Sequence, residues 1–283
     1  MRDFNYFEPK NVDEAVSLLA KYGEAAKIMA GGTDLMVRMI MGTRRPKYII
    51  NLKATPGLDY IECGDELRIG ATTTIRTIAK SPELAQECPI IANVGRKFAC
   101  ITIANMATIG GNLCNASPAA DTAAPLITLS ARVKIIGPDG VRIVPVEEFF
   151  TGPGSTVMKP DEILTEVQIP TPQADTKWAY IKYGIRGVSD LAITSVAALV
   201  NIENGIFTEA RIALGAVAPT PMRARRVEDA LKGEKTSEKT IDKAAALAKE
   251  ECCPISDVRA SVEYRTQMSY VLTKRAIMSC LNS

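Results

Sequence analysis

Ala30-Gly31-Gly32-Thr33-Asp34-Leu35 is the stretch on which the reading of this chain turns. It follows Ala26-Lys27-Ile28-Met29, an apolar run that predicts a buried strand. It precedes Leu35-Met36-Val37-Arg38-Met39-Ile40-Met41, whose spacing is helical in part. A strand that turns through two glycines into a helix makes a main-chain cradle. Without Cβ atoms the backbone reaches φ > 0 and approaches a ligand closely. The N–H groups there, and at the start of the next helix, face an anion such as a phosphate. The same letters also serve an ordinary strand-to-helix turn, because short glycine motifs match often by accident.

A second stretch adds to the first: Thr108-Ile109-Gly110-Gly111-Asn112-Leu113-Cys114-Asn115-Ala116-Ser117-Pro118-Ala119-Ala120-Asp121-Thr122. It is made of small residues with polar side chains between them, so it cannot fill a core by itself. It carries too little charge for a disordered linker. A long small-residue loop in a compact chain is usually functional, and two glycine loops could grip the two phosphates of one dinucleotide. Neither loop is a P-loop, since G-x-x-x-x-G-K-[ST] is absent, and neither is the Rossmann turn G-x-G-x-x-G.

The chain resembles the FAD-binding subunit, or medium chain, of the molybdenum hydroxylases, a family that includes the flavin domains of xanthine, carbon monoxide and nicotinate dehydrogenases. The resemblance rests on Ala30-Gly-Gly-Thr-Asp-Leu35, Thr108-Ile-Gly-Gly-Asn112 and Ser117-Pro-Ala-Ala-Asp121. It continues with Glu162-Ile-Leu164 before Ile169-Pro170, and with Lys182, Arg186, Asp190, Leu191 and Ala192. These pieces fall in the family's order and spacing over nearly the whole chain.

Composition agrees with such a subunit. Of 283 residues, 47% are hydrophobic and 23% charged, with a net charge of +2, as in an ordinary globular protein. The charge balance gives no reason to expect nucleic acid. No apolar run approaches the length of a membrane span, and the N-terminus shows no apolar signal region. The seven cysteines are scattered without a C-x-x-C, which argues against a disulfide framework, a zinc site or an iron–sulfur site. Reduced thiols in the cytoplasm are the expectation. There is no histidine, which excludes His-dependent nucleophiles, His-ligated metals and a histidyl-linked flavin. A chain so equipped borrows a cofactor for its chemistry.

The expected fold class is α+β. A two-part FAD-binding domain, a small α/β unit and a second α+β subdomain, precedes a C-terminal antiparallel sheet with helices. The expected divisions are 1–55, 56–175 and 176–283, the last boundary falling in the polar, proline-containing segment 170–176. Residues 11–23 read as a helix, with Asn11 and Glu14 at capping-box spacing and Gly23 at its end. Strands at 26–29 and 48–52 enclose the first loop. Hairpins are expected at 58–70 and 132–144. Helices are expected from Ile75, at 89–99 and at 123–129; residues 147–154 read as irregular, and 162–169 as a strand. The last unit reads as three strands, 177–185, 192–202 and 207–215, with Asn204-Gly205 as a tight turn. Helices follow at 222–232, 238–251 and 262–281.

What the resemblance implies for the site is specific. FAD is held non-covalently by Ile28, Met29, Ala30, Gly31, Gly32, Thr33, Asp34 and Leu35 on the first loop. Ala107, Thr108, Gly111, Asn112, Cys114, Ala120 and Asp121 serve on the second, with Phe98, Ile163, Leu164 and Lys182 from elsewhere. Asp34 repels phosphate, so it serves as a helix cap, a main-chain acceptor or a partner of a flavin hydroxyl. Asp121 either accepts from sugar hydroxyls or caps the helix from Thr122. Phe98 either lies against the flavin or fills the core. Lys182 either stabilises the negative charge of reduced flavin near N1–C2 or lies on a solvated strand face; Arg186 and Asp190 could pair. No catalytic or metal-ligating residue is expected. The resemblance implies a large molybdopterin-binding subunit and a small subunit with two 2Fe–2S clusters as partners, with electrons leaving FAD for NAD or another acceptor. The alternative is an autonomous FAD-dependent oxidoreductase of the vanillyl-alcohol-oxidase-like type.

Overall fold

The structure is a computed structural model that describes residues 3–187 and 189–282. Its first part contains β1 (Asn5–Phe7), α1 (Val12–Tyr22), β2 (Ala26–Met29), α2 (Leu35–Ile40) and β3 (Tyr48–Asn51). The strands form a parallel sheet in the order β1-β3-β2. Helix α1 forms where the capping signals place it. Asn11 accepts from the Glu14 N–H at 2.9 Å, and the chain turns out of the helix at Gly23, φ +50°. Its apolar stripe, Ala15, Val16 and Leu19, packs with Ala26, Ile50 and Leu52. Strand β1 is an addition to the expected pattern; three residues give too short a period to be read.

The second part contains β4 (Ile61–Glu62), β5 (Glu66–Gly70), α3 (Ile75–Lys80), α4 (Pro82–Glu87), α5 (Pro89–Lys97), α6 (Ile101–Met106), α7 (Ile109–Cys114) and α8 (Ala123–Thr128). There follow β6 (Arg132–Gly137), β7 (Gly140–Pro145), α9 (Val146–Phe149), β8 (Phe150–Gly152), β9 (Ser155–Thr156) and β10 (Ile163–Pro170). Both expected hairpins form and join β10 in a five-stranded sheet, β4-β5-β10-β6-β7. Two expectations are corrected. Residues 109–114, expected as open loop, are helix α7, because Thr108 caps the glycine-containing turn. Residues 147–154, expected as irregular, hold the end of α9 and the start of the β8–β9 hairpin. Phe149 and Phe150 there are buried edge to face, with centroids 5.4 Å apart.

The third part contains β11 (Lys177–Tyr183), β12 (Thr194–Glu203), β13 (Ile206–Gly215), β14 (Met222–Arg223), α10 (Arg225–Leu231), α11 (Glu238–Ala246), α12 (Ala248–Glu251) and α13 (Val262–Leu281). Asn204 and Gly205 both have positive φ, +51° and +72°, as a two-residue hairpin of the type I′ kind requires. The sheet has four strands, not the three expected. Met222 and Arg223, expected to begin a helix, instead pair with Leu214 and Ala213. The Arg223 guanidinium then grips the buried Glu228 at 2.6 and 2.7 Å, which fixes the start of α10. The expected helix 238–251 is divided at Leu247 into α11 and α12.

The second part's core continues into the third. Tyr180, Ala197, Leu199 and Ala213 belong to the same apolar cluster as Ile75, Val94, Leu126 and Val167. The other face of that C-terminal sheet is covered by α10, α11 and α13 through Val227, Ile241, Leu272 and Ile277. Truncating one of these fully buried aliphatic side chains to alanine costs about 2–5 kcal/mol.

Candidate functional site

The two double-glycine segments lie against each other. A Cβ on Gly31 would overlap the carbonyl oxygen of Met106 and stand 2.9 Å from Ala107 Cα. A Cβ on Gly111 would come within 3.9 Å of Ala30 Cβ. The close approach that Gly31 permits is therefore between the two parts of the protein. Asn115 ties the same junction through its side chain. It donates to Asp34 Oδ2 at 3.0 Å and accepts from Arg38 at 3.1 Å, while Arg38 pairs with Asp34 at 2.5 Å.

These contacts correct one reading of Asp34. Its side chain caps no helix; its carboxylate is committed to Arg38 and Asn115. The Arg38 pairing also offsets a negative charge that would otherwise repel an anion at this loop.

In the first loop, Gly32 has φ +69°, and the turn is closed by Met36 N–H donating to Gly32 O at 3.0 Å. The N–H groups of Gly31, Gly32, Thr33 and Asp34 engage no acceptor among the described residues. Consecutive N–H groups around a left-handed residue form an anion-binding concavity. An open hollow of about 480 Å³ adjoins the loop, lined by Met29, Ala30, Gly31, Gly32, Met36 and Met106, with Asn51 and Lys53 at its side.

The second loop is arranged differently. Gly110 N–H donates to Ala71 O at 2.9 Å and Asn112 N–H to Thr108 O at 2.9 Å. Gly111 N–H donates to Thr108 Oγ1 at 3.1 Å. Asn112 Oδ1 accepts from the Thr122 hydroxyl at 2.6 Å, which draws the end of the loop to α7. Ala216 N–H donates to Pro118 O at 2.8 Å, joining the loop to the C-terminal sheet.

Beside that junction, Lys182 Nζ meets Asp121 Oδ2 at 2.7 Å, with the two side chains 8% and 9% exposed. The Tyr180 hydroxyl donates to Asp121 Oδ1 at 3.2 Å. Two alternatives fall here. Asp121 does not cap the helix at Thr122, where the side-chain cap is missing, and Lys182 is not on a solvated face. Burial pushes the Asp121 carboxyl above its usual range; the Lys182 charge, and then hydrogen bonds from Lys182 and Tyr180, draw it back. Arg186 and Asp190 do pair, at 3.8 Å, and Asp190 also accepts the Arg186 N–H.

The structure thus gathers Met29, Ala30, Gly31, Gly32, Ala107 and Gly111 in one place. Thr33, Asp34 and Leu35 continue that loop into α2, and Ile28 precedes it in β2. Thr108, Asn112 and Asp121 connect to it through α7. Cys114, at the end of α7, has its thiol 3.7 Å from Met158 Sδ, and Ala120 is buried in the core. Phe98, Ile163 and Leu164 have their side chains in the core, with Phe98 9% exposed. Asn115, Tyr180 and Lys97 are additions that no motif announced. Arg38 was legible as an i,i+4 partner of Asp34.

Around these loops stand four main-chain donors without an acceptor among the described residues, a carboxylate paired with Arg38 and a buried lysine. Sequence comparison agrees. The family described as "FAD binding domain in molybdopterin dehydrogenase" matches residues 2–172, and "CO dehydrogenase flavoprotein C-terminal domain" matches residues 179–280. The chain belongs to the FAD-binding medium subunits of the molybdenum hydroxylase family. It is similar to the putative xanthine dehydrogenase FAD-binding subunit of Escherichia coli, at 33% identity over 98% of this chain and 96% of that one. The carbon monoxide dehydrogenase medium chain of Afipia carboxidovorans is 36% identical over 97% and 95%. A solved structure of carbon monoxide dehydrogenase from Hydrogenophaga pseudoflava superposes with a TM-score of 0.97 at 34% identity, over 99% and 98% of the two chains.

Proposed function

We propose that this chain is the electron-transfer subunit of a molybdopterin-dependent dehydrogenase, taking electrons from 2Fe–2S clusters on a small subunit and passing them through FAD to NAD or another acceptor. A large molybdopterin-binding subunit hydroxylates the substrate. The reading is carried by one observation: the chain presents a main-chain anion cradle at 31–34, while its sequence has no histidine and no ordered cysteine cluster for substrate chemistry of its own. Relatives named as medium chains or subunits support it.

When bound, FAD supplies the exchange between electron donor and acceptor. The residues here do the rest. The N–H groups of 31–34 hold the pyrophosphate, with Thr33 adding a hydroxyl donor. Gly111 and Asn112, their own N–H groups engaged within α7, brace the opposite wall. Lys182 sets a positive charge beside the isoalloxazine, and Asp121 orients Lys182 and accepts from a sugar hydroxyl. Residues 1–55, 56–175 and 176–283 act as three units around this cleft, in a reducing cytoplasm where the thiols stay free.

The test is anaerobic reduction of the flavin absorption band. The FAD-loaded chain alone should be bleached by an artificial donor or NADH but not by a purine, aldehyde or heteroaromatic acid. Adding molybdenum and iron–sulfur subunits should restore turnover of such a substrate. Bleaching of the metal-free chain by the substrate at catalytic rates would favour an autonomous flavin oxidoreductase.

A further inference from the structure

Helix α2 is apolar on both sides. Met39 packs inward and is 5% exposed. Val37, Ile40 and Met41, spaced to share the opposite face, are 50%, 67% and 72% exposed. A surface helix ordinarily turns polar residues outward, and one that is apolar all round is a covered helix. Met36, next round the helix, opens into the hollow beside the cradle, where Met29 and Met106 join it. The apolar surface therefore runs from the outer side of α2 into a recess of about 480 Å³. Methionines suit such a surface, because the flexible thioether adapts to whatever side chains it meets.

The charge around this surface is of one sign. From Leu35 to Leu58 the sequence carries Arg38, Arg44, Arg45, Lys47 and Lys53 and no Asp or Glu. Arg38 is paired with Asp34. The others enter no ion pair among the described residues. Gly42, φ +75°, turns the chain back so that Arg44 N–H donates to Arg38 O at 3.2 Å, which sets Arg44 and Arg45 at the C-terminal end of α2. Arg45 Nε donates to Gly42 O at 3.0 Å. Lys53 Nζ stands 4.0 Å from Met106 Sδ in the wall of the hollow. Glu8, linked to Asn51 through the Tyr6 hydroxyl, pairs with none of these cations. Cations at a helix C-terminus also favour the helix dipole, but that role asks for no apolar face beside them. An exposed apolar centre edged by arginines is the composition of a protein interface, and unpaired cations at its rim fit a partner with carboxylates.

We infer that the outer face of α2, with the methionine-lined hollow and the turn at 42–47, is where the small iron–sulfur subunit docks, through an apolar surface edged by carboxylates. The place suits an electron donor. Helix α2 begins at Leu35, directly after the N–H groups of 31–34, so a protein seated on it stands next to the loop that holds FAD in the proposal above. This rests on the reading that the chain takes electrons from such a subunit.

The experiment titrates the FAD-loaded full chain with the small iron–sulfur subunit of its complex and reads the dissociation constant by calorimetry at low and high salt. Ile40→Asp, and Arg44→Glu combined with Arg45→Glu, should each weaken binding about tenfold or more, with FAD content and circular dichroism those of the parent. The parent's affinity should fall as salt rises, and that of the charge-reversed variant should fall less. Val141→Asp, at another exposed apolar position, on β7, should bind as the parent does. Variants on α2 that bind the small subunit as tightly as the parent overturn the inference, as does an equal loss in Val141→Asp. Loss of the large subunit in place of the small one overturns it too. A parent chain that self-associates, and that Ile40→Asp returns to monomer with the small subunit still bound, assigns the face to a second copy and overturns it likewise. If the parent chain itself does not bind the small subunit, the electron-relay reading fails and takes this inference with it; if the parent binds and the α2 variants bind equally, this inference alone fails.

Discussion

Two Gly-Gly pairs in one chain, Gly31-Gly32 and Gly110-Gly111, have the same letters and opposite hydrogen-bond states. At 31–34 the main-chain N–H groups engage no acceptor among the described residues, and Gly32 turns left-handed. At 110–112 every N–H is engaged, by Ala71, by the Thr108 hydroxyl or by the Thr108 carbonyl. The first segment leaves its donors free for the phosphates proposed above. The second uses them to build a short helix, α7, to which the Thr122 hydroxyl ties the segment that brings Asp121 to Lys182. Within each pair one glycine exists for packing: Gly31 against Met106, and Gly110 against Ala71, where a Cβ would sit 2.7 Å from the alanine's. A glycine motif thus shows that the backbone comes close to something; the state of its N–H groups shows which donors remain for a ligand.

The contrast breaks most readily at Asp121. Replacing it with alanine strands the buried Lys182 ammonium, and removal of one partner of a buried pair costs about 3–5 kcal/mol. Urea unfolding should show a loss of that size; an unchanged midpoint would mean that the second loop does not serve as a charged brace.

Valine substitutions come next and separate the two loops. In Gly32→Val the side chain crowds a left-handed position, at a cost of about 1–2 kcal/mol. Displacing even one charged hydrogen bond to phosphate, at about 1.5–3 kcal/mol, weakens FAD binding tenfold or more, with the helical circular dichroism retained. In Gly111→Val the new Cβ meets Thr108 Oγ1 at 2.8 Å, so α7 loosens and stability falls along with affinity. Equal behaviour of the two variants in both measurements would erase the distinction drawn here.

Gly31→Ala should cost about 1–3 kcal/mol by overpacking, since a backbone carbonyl cannot rotate aside as a side chain can. The smallest effect belongs to Thr108→Val, which removes the cap of α7 at about 1 kcal/mol. Thermal unfolding with and without FAD resolves both: the Thr108→Val loss should be the same in the two conditions.

Much of this was legible beforehand, for physical reasons. Asn11 and Gly23 mark helix ends by local hydrogen bonding that needs no distant partner, and the structure places caps at both. Asn204-Gly205 names its turn because only such residues tolerate two left-handed positions in succession. The candidate site was legible as letters but not as geometry. Whether the N–H groups of a glycine pair are engaged depends on Ala71, which lies far from Gly110 in sequence. Lys182 reads by alternation as a surface residue, yet Asp121, 61 positions earlier, buries it. Strand β14 eluded the reading because two residues have no period, and its pairing with Ala213 and Leu214 is a tertiary decision.

The central claim, that the 31–34 main chain holds the pyrophosphate, is tested most directly by amide chemical shifts of the isotope-labelled full-length chain. Titrated with FAD, the N–H resonances of Gly31, Gly32, Thr33 and Asp34 should move strongly, while those of Gly110 and Gly111 move little. Titrated with riboflavin, which lacks the phosphates, the first set should stay near its unbound position. Equal movement of the first set with FAD and riboflavin, or no movement with FAD while the flavin is bound, would contradict the account.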